Sequence, residues 1–218
     1  MKTVKIPAIG QEYAIGKIVC LGRNYVEHAR ELGNEVPSAP VIFMKPATAA
    51  IADGGTVRIP VWSQACHHEV ELALLIGREA RGISPERAMD CVAGFGVAID
   101  MTLRDVQDQL KSKGLPWEIA KGFDTSCPLS DFVPAPGVPD PHDLTIRLWV
   151  NGQQRQNGTT AAMIHRVPQI ISHISSIFTL EPGDVILTGT PSGVGPVRAG
   201  DVMEAEIASV GRLRIFVE

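Results

Sequence analysis

Glu69 and Glu71 stand one residue apart at the head of an apolar run, Leu72 to Ile76. A run without a polar residue suits a strand covered on both faces. Side chains alternate along a strand, so the two glutamates share one side, with His67 in line. At that spacing they lie roughly 7 Å apart, and at an effective dielectric of ~20 they repel by about 2 kcal/mol. Desolvation adds a further cost to each charge. Against a domain stability of about 5–15 kcal/mol, a buried pair needs compensation. A divalent cation supplies it, and oxygen donors favour magnesium, manganese or calcium over zinc. The same spacing also describes a solvated strand face, so this segment alone leaves both readings open. His67 and His68 face opposite ways as strand neighbours, which argues against one zinc held by both.

Other side chains could join such a site. Asp100 ends the buried run Gly96 to Met101, just before a helix, where ligands are common; a second helix-capping acceptor is the alternative. His28 and Glu31 are three residues apart on a short helix and share a face. Such a pair can transfer protons, or be an ordinary solvated helix face. Arg104 and Gln107 share a face of the next helix and can look toward Asp100. Lys121 lies between apolar residues, either as a structural charge or as a cation aimed at an anionic substrate. The loop Thr188 to Pro196 can aim backbone N–H groups at an anion, but lacks the Gly-Lys-Ser/Thr of a nucleotide loop. His142, His165 and His173 read as structural or surface residues.

The elements that must position these groups follow from punctuation and periodicity. Lys17 to Leu21 reads as a strand. Asn24 with Glu27 forms a capping pattern for a helix from about Tyr25 to Leu32, stopped by Gly33. Gly33 to Pro40 is a polar loop able to cover a pocket. Val41 to Met44 and Thr56 to Ile59 are short strands. Ser84-Pro85 opens a helix ending near Gly94. Thr102, with Asp105 three residues on, is expected to cap a helix running to about Lys113 and stopping at Gly114. Leu144 to Val150, Asn151-Gly152 and Gln153 onward form a hairpin with a type I′ turn. Val167 to Phe178 is a helix with its stripe on Ile170, Ile171, Ile174, Ile177 and Phe178. Val185 to Leu187 is a strand, and Asp201 to Val217 two strands joined near Ser209-Val210-Gly211.

The chain has 218 residues, which allows one large domain or two small ones, and 44% are hydrophobic, enough for a substantial core. Its 21 glycines and 16 prolines point to many turns and a strand-rich fold. A net charge of −4 argues against nucleic acid or an anionic membrane as the main partner. Cys20, Cys66, Cys91 and Cys127 are scattered, which suits reduced thiols in the cytoplasm. No apolar run reaches membrane-spanning length, and Met1 to Gly10 lacks the apolar core of a signal peptide.

Four segments together resemble the fumarylacetoacetate hydrolase superfamily. They are His67-His68-Glu69-Val70-Glu71-Leu72, Gly96 to Gln107, Lys121-Gly122-Phe123-Asp124, and Leu187 to Gly195. Their order and spacing match from about Lys17 to the C-terminus. The short chain looks most like the acylpyruvase and oxaloacetate decarboxylase branch. The resemblance implies an α+β, strand-rich fold, a roll of mixed sheets, as one catalytic domain over 1–218, with an N-terminal segment 1–16, a core 17–218 and a lid at 24–40. It implies Glu69, Glu71 and Asp100 as ligands of Mg2+ or Mn2+, and a His28–Glu31 dyad on the lid. It implies Lys121 at the reacting centre and substrate contacts from Arg23, Arg104, Gln107 and Thr190. A homodimer is expected.

The expected activity is hydrolysis of the C–C bond of small 2,4-dioxo acids, such as acylpyruvates or fumarylpyruvate. The dyad would activate a water that attacks the 4-carbonyl carbon, and pyruvate would leave as its enolate, with the metal and Lys121 stabilising the 2-oxygen. Oxaloacetate decarboxylation and keto–enol tautomerisation follow from the same arrangement without that water. A non-catalytic dicarboxylate-binding protein would keep the carboxylates and need no dyad.

Overall fold

The computed structural model describes residues 1–33 and 35–218 of the chain; Asn34, within the expected lid, lies outside them. Strands dominate. One mixed sheet of eight strands runs in the order Val41–Lys45, Ile18–Gly22, Val185–Leu187, Val70–Ile76, Val92–Ile99, Cys127–Leu129, Ala50–Ala52, with Val133–Pro134 paired to Val92–Ile99. Ile18–Gly22 with Val185–Leu187, and Ala50–Ala52 with Cys127–Leu129, are parallel; the other pairs in this sheet are antiparallel. A five-stranded sheet runs Gln153–Thr159, Thr145–Val150, Val202–Ile207, Gly211–Val217, Thr56–Val57. This is the strand-rich α+β roll expected.

The strand Val70–Ile76 is buried along its whole length because both of its faces are covered. Leu72, Leu74 and Ile76 join the core shared with Ile146, Leu148, Ala205, Leu213 and Ile215 of the five-stranded sheet. Ala73 and Leu75 point the other way, into a second core with Ile6, Ile18, Cys20 and Phe43. The N-terminal segment is a hairpin, Thr3–Ile6 with Gln11–Ala14, whose Val4 and Ile6 seal that second core. Asp184 tethers the adjoining turn: it accepts from the Lys17 N–H at 3.0 Å and pairs with the Lys17 ammonium.

The hairpin Thr145–Val150 and Gln153–Thr159 turns through Asn151 and Gly152 at φ +51° and +76°, the type I′ signature. The last two strands, Val202–Ile207 and Gly211–Val217, form the expected antiparallel pair. The helix Val167–Ile177 buries Val167, Ile170, Ile171 and Ile174; Ile177 is half exposed and outside the stripe, because the helix ends there.

Several boundaries differ from the sequence expectation. The lid helix is Val26–Glu31, and Asn24 does not cap it. Its side chain donates instead to Thr188 O at 2.8 Å and His165 O at 3.1 Å, and accepts from His165 N at 2.7 Å. Those tertiary bonds satisfy both ends of a buried amide, which the local cap would not. Thr102 is not a cap either. It pairs in a short strand with His67, and the helix begins at Arg104 and runs to Ser112. The helix expected from Ser84 to Gly94 is a 3₁₀ helix, Pro85–Cys91, and the strand starts already at Val92. Gly94 belongs to that strand because Val133–Pro134 crosses it too closely for a side chain.

Asn24 therefore ties the lid to two segments far off in the chain. Asn24→Ala removes three buried hydrogen bonds and is expected to cost about 2–4 kcal/mol. Urea unfolding monitored by circular dichroism reads the loss; a change below about 0.5 kcal/mol would show that the tether does not matter.

Candidate active site

The acidic strand is broken at the residue that matters. Cys66–His68 pairs with Thr102–Leu103 on one side and Gly195–Val197 on the other, forming a separate three-stranded sheet. Glu69 occupies the gap before Val70–Ile76. The single continuous strand expected from His67 is thus two strands in different sheets. The break is held by the Asp100 N–H, which donates to Glu69 O at 2.8 Å. Val70 pairs with Ile99 and Glu71 with Ala98, so two neighbouring strands bring Glu71 and Asp100 together. One oxygen from each of Glu69, Glu71 and Asp100 lies within 4.8 Å of the others, and all three residues are buried. That is closer than the spacing of an unbroken strand implies.

Three cations face these three carboxylates. Lys121 Nζ donates to Glu69 Oε2 at 2.8 Å, Asp100 Oδ2 at 2.6 Å and Thr102 Oγ1 at 2.6 Å. Arg104 pairs with Glu69 Oε1 and donates to Gln107 Oε1 at 2.6 Å. Lys45 Nζ lies 2.8 Å from Asp100 Oδ1 and donates to Met101 O, Lys121 O and Ser126 O. Sequence reasoning missed Lys45. The signal was there: it follows inward-facing Phe43 at strand period, before Pro46.

The field separates the two glutamates. Burial alone would raise the Glu69 carboxyl, but Lys121 and Arg104 overcome it and hold it well below the usual range. Burial, reinforced by Asp100 and Glu69, pushes Glu71 well above that range, although its Oε2 accepts from Gly189 N at 2.6 Å. For Lys121, burial opposes the charge, and Asp100 and Glu69 still raise its pKa above an ordinary lysine's.

The donor set fits a hard divalent cation. All three ligands are carboxylates, and Asp100 Oδ1 is buried without a hydrogen bond, its ion pair with Lys45 lying off the hydrogen-bonding direction. His67 is not among them; it stays half-buried with its pKa lowered to about 4, mainly by burial. His68 is committed to Gln156 Oε1 at 3.0 Å. Zinc on the two histidines is thus absent from the geometry.

His28 of the dyad lines the cavity, with Glu31 behind it. His28 is buried, and its Nδ1 is 3.5 Å from Glu31 Oε2. Burial lowers the His28 pKa, outweighing the pull of Glu69, which favours the neutral imidazole. The Gly193 N–H donates to both Glu31 oxygens, at 3.0 and 3.2 Å. The glycine-rich loop does aim N–H groups at anions, and the anions are this chain's own Glu71 and Glu31. Gly189 and Gly193 have φ of +92° and +97°, and a side chain on Gly189 would come within 2.8 Å of Asn24.

Arg23, Arg104, Gln107, Lys121 and Thr190 line the cavity with Glu69, Glu71 and His28, and Asp100 lies behind them, bonded to Lys121. The Thr190 hydroxyl donates to Val70 O at 2.7 Å and accepts from Gln156 Nε2 at 2.8 Å, so its hydrogen is already committed. Gln156 is fully buried at the junction of two sheets. Nothing in the all-polar strand Gln153–Thr159 marked it out, since only the fold buries that one position. A wider concavity beside Lys2–Lys5 and Leu129–Asp131 contains neither the triad nor the dyad.

The family model for the fumarylacetoacetate hydrolase C-terminal domain matches residues 17–218, and the chain belongs to that family. It is 52% identical over 201 residues to the mitochondrial oxaloacetate tautomerase FAHD1 of Bos taurus, covering 92% of this chain and 91% of the relative. It is 50% identical to the mitochondrial oxaloacetate decarboxylase of Dictyostelium discoideum, covering 89% of each. Among solved structures, fumarylpyruvate hydrolase from Pseudomonas aeruginosa, in complex with Mn2+ and pyruvate, superposes with a TM-score of 0.94 at 37% identity, over 99% of this chain and 95% of that one.

Two outcomes test this electrostatic layout. Lys45→Met strands part of the Asp100 charge and is expected to cost about 3 kcal/mol in urea unfolding; wild-type stability would remove Lys45 from the charge balance. Burial favours the protonated form of Glu71 in the metal-free protein, and ligation requires loss of that proton. Its raised pKa means that metal-free stability falls as pH rises above the ordinary glutamate range, while magnesium affinity rises. Calorimetric titration in buffers of different ionisation enthalpy should show proton release; heats independent of buffer would contradict the protonated Glu71.

Proposed function

We propose that the protein is an oxaloacetate keto–enol tautomerase dependent on Mg2+ or Mn2+ held by Glu69, Glu71 and Asp100. A cation bound there supplies Lewis acidity toward a 2-oxo acid. The other tasks fall to this chain's side chains. Lys121 keeps an ammonium beside the triad, where it favours negative charge on the 2-oxygen. Arg104 and Gln107 present a guanidinium and an amide to the substrate carboxylate. Thr190, with its hydroxyl hydrogen engaged by Val70 O, shapes the cavity wall.

His28 moves the proton. Keto and enol forms differ only in whether one hydrogen sits on C3 or on the 2-oxygen. With the Glu31 carboxylate as acceptor, the His28 Nδ1–H donates to it and Nε2 carries the lone pair. That imidazole takes the proton from C3 of the keto form and, as imidazolium, delivers it to the 2-oxygen to give the enol; in the opposite direction it carries the proton from the 2-oxygen back to C3. Gly193 holds Glu31, and Glu31 holds the ring.

The observation that carries this reading is the buried His28 opening on the same cavity as Glu69 and Glu71 of the acidic triad. Half-identical relatives named oxaloacetate tautomerase support it over hydrolysis, which additionally needs a placed water. The Pseudomonas neighbour supports a second reading, C–C hydrolysis of 2,4-dioxo acids, and the Dictyostelium relative supports decarboxylation. A homodimer belongs to the proposal. So does the cytoplasm, supported by four free, buried cysteines, although several relatives are named mitochondrial.

The test follows the loss of enol absorbance of oxaloacetate, beside acetylpyruvate hydrolysis and carbon dioxide release, with magnesium and with manganese. Tautomerisation should be the fastest and should stop on chelation. His28→Asn should lower its kcat by about 10²-fold or more with metal affinity retained. A wild-type rate in that variant would place the base elsewhere, and faster acetylpyruvate cleavage would make the hydrolase reading the correct one.

A further inference from the structure

We propose that Arg23 and Lys111 form a cationic rim that reads the second carboxylate of the substrate, so that the site selects 2-oxo dicarboxylates over 2-oxo monocarboxylates; this rests on the oxo-acid reading of the acidic floor. The triad side of the cavity accounts for one end of such a molecule, its 2-oxo group and adjoining carboxylate. Oxaloacetate carries another carboxylate at the opposite end, and that end must face the mouth.

The mouth is built around Trp117. The Arg23 guanidinium carbon lies 6.0 Å and Lys111 Nζ 5.7 Å from the centroid of its ring, and Phe43 packs against the same ring at 5.9 Å. Both cations line the cavity that holds Glu69 and Glu71. One indole therefore gathers two positive groups by cation–π attraction and leaves their outer donors free.

Charge balance separates rim from floor. Each floor cation is matched: Lys121 by Glu69 and Asp100, Arg104 by Glu69, Lys45 by Asp100. Arg23 has no ion pair among the described residues. Lys111 has only Asp108, at 3.6 Å and itself largely exposed. Burial, then Arg104, lower the Lys111 pKa, and Arg23 adds to this, as expected where positive charge is left uncompensated. An incoming carboxylate supplies what the rim lacks, with charge-assisted hydrogen bonds from both groups.

The helix sets the span. Arg104, Gln107 and Lys111 follow at i, i+3 and i+7 on one face of Arg104–Ser112. Lys111 thus stands about 6 Å further along the axis than Gln107, comparable to the length of a four-carbon diacid. Arg23 reaches the same ring from a left-handed backbone, φ +60°, uncommon for a residue with a side chain. The bonds of Asn24 fix the chain next to it.

The experiment compares the KM for oxaloacetate with the inhibition constant of pyruvate, which has the same 2-oxo acid head and no second carboxylate. Lys111→Met and Arg23→Gln should each raise the oxaloacetate KM roughly tenfold, equivalent to about 1.4 kcal/mol. The pyruvate constant should stay within about twofold, and Lys111→Arg should keep the preference. Equal losses for both ligands, or no change in either, would overturn the rim. Should the wild type not tautomerise oxaloacetate, calorimetry on the magnesium-loaded protein replaces the assay. A preference for oxaloacetate over pyruvate that vanishes in both variants then upholds the rim while the reaction assignment falls; no preference in the wild type overturns the rim itself.

Discussion

Three buried carboxyl groups packed with three buried cations are the constraint on which the molecule is built: Glu69 and Asp100 pair with the cations, while Glu71 accepts from the Gly189 N–H. Burial penalises every charge in this cluster. The fold answers by using backbone as well as side chains. Lys45 is held by the carbonyls of Met101, Lys121 and Ser126, so its charge is fixed before it meets Asp100. The charges are nevertheless unevenly shared, since Glu69 faces two cations and Glu71 faces other carboxylates. Such splitting of like groups is a common mark of a functional centre.

That cluster explains the topology around it. The eight-stranded sheet needs both faces covered because Val70–Ile76 and Val92–Ile99 deliver acids at their ends and are apolar elsewhere. The five-stranded sheet covers one face and the N-terminal hairpin helps cover the other. The break at Glu69 lets one chain segment leave the large sheet and enter the small one, turning a carboxylate into the cavity at the crossing. The glycine-rich loop then closes over the centre by donating to Glu71 and Glu31. It links the triad and the dyad through backbone alone.

Polarity runs along the cavity, from an acidic floor compensated by lysines to a mouth carrying unmatched positive charge. A ligand with a chelating head and an anionic tail complements both ends. The relatives' names carry several reactions, oxaloacetate tautomerisation, oxaloacetate decarboxylation and fumarylpyruvate hydrolysis, and each of their named substrates is a small oxo acid.

Much of this was legible in the chain itself. The Glu-x-Glu pair before an apolar run, Asp100 at the end of another, and His28 with Glu31 at helical spacing stood out because local periodicity decides which face a residue occupies. The Asn151-Gly152 hairpin and the last two strands were equally local, since turn chemistry sets them. What tertiary structure decided was long-range. Asn24 and Thr102 have the residue types of helix caps, yet their polar groups found partners far along the chain, where burial made those bonds obligatory. Gln156 became part of the centre only when sheets closed over it. The strand break at Glu69 depends on the Asp100 N–H from another strand, so no pattern within residues 67–77 could have revealed it.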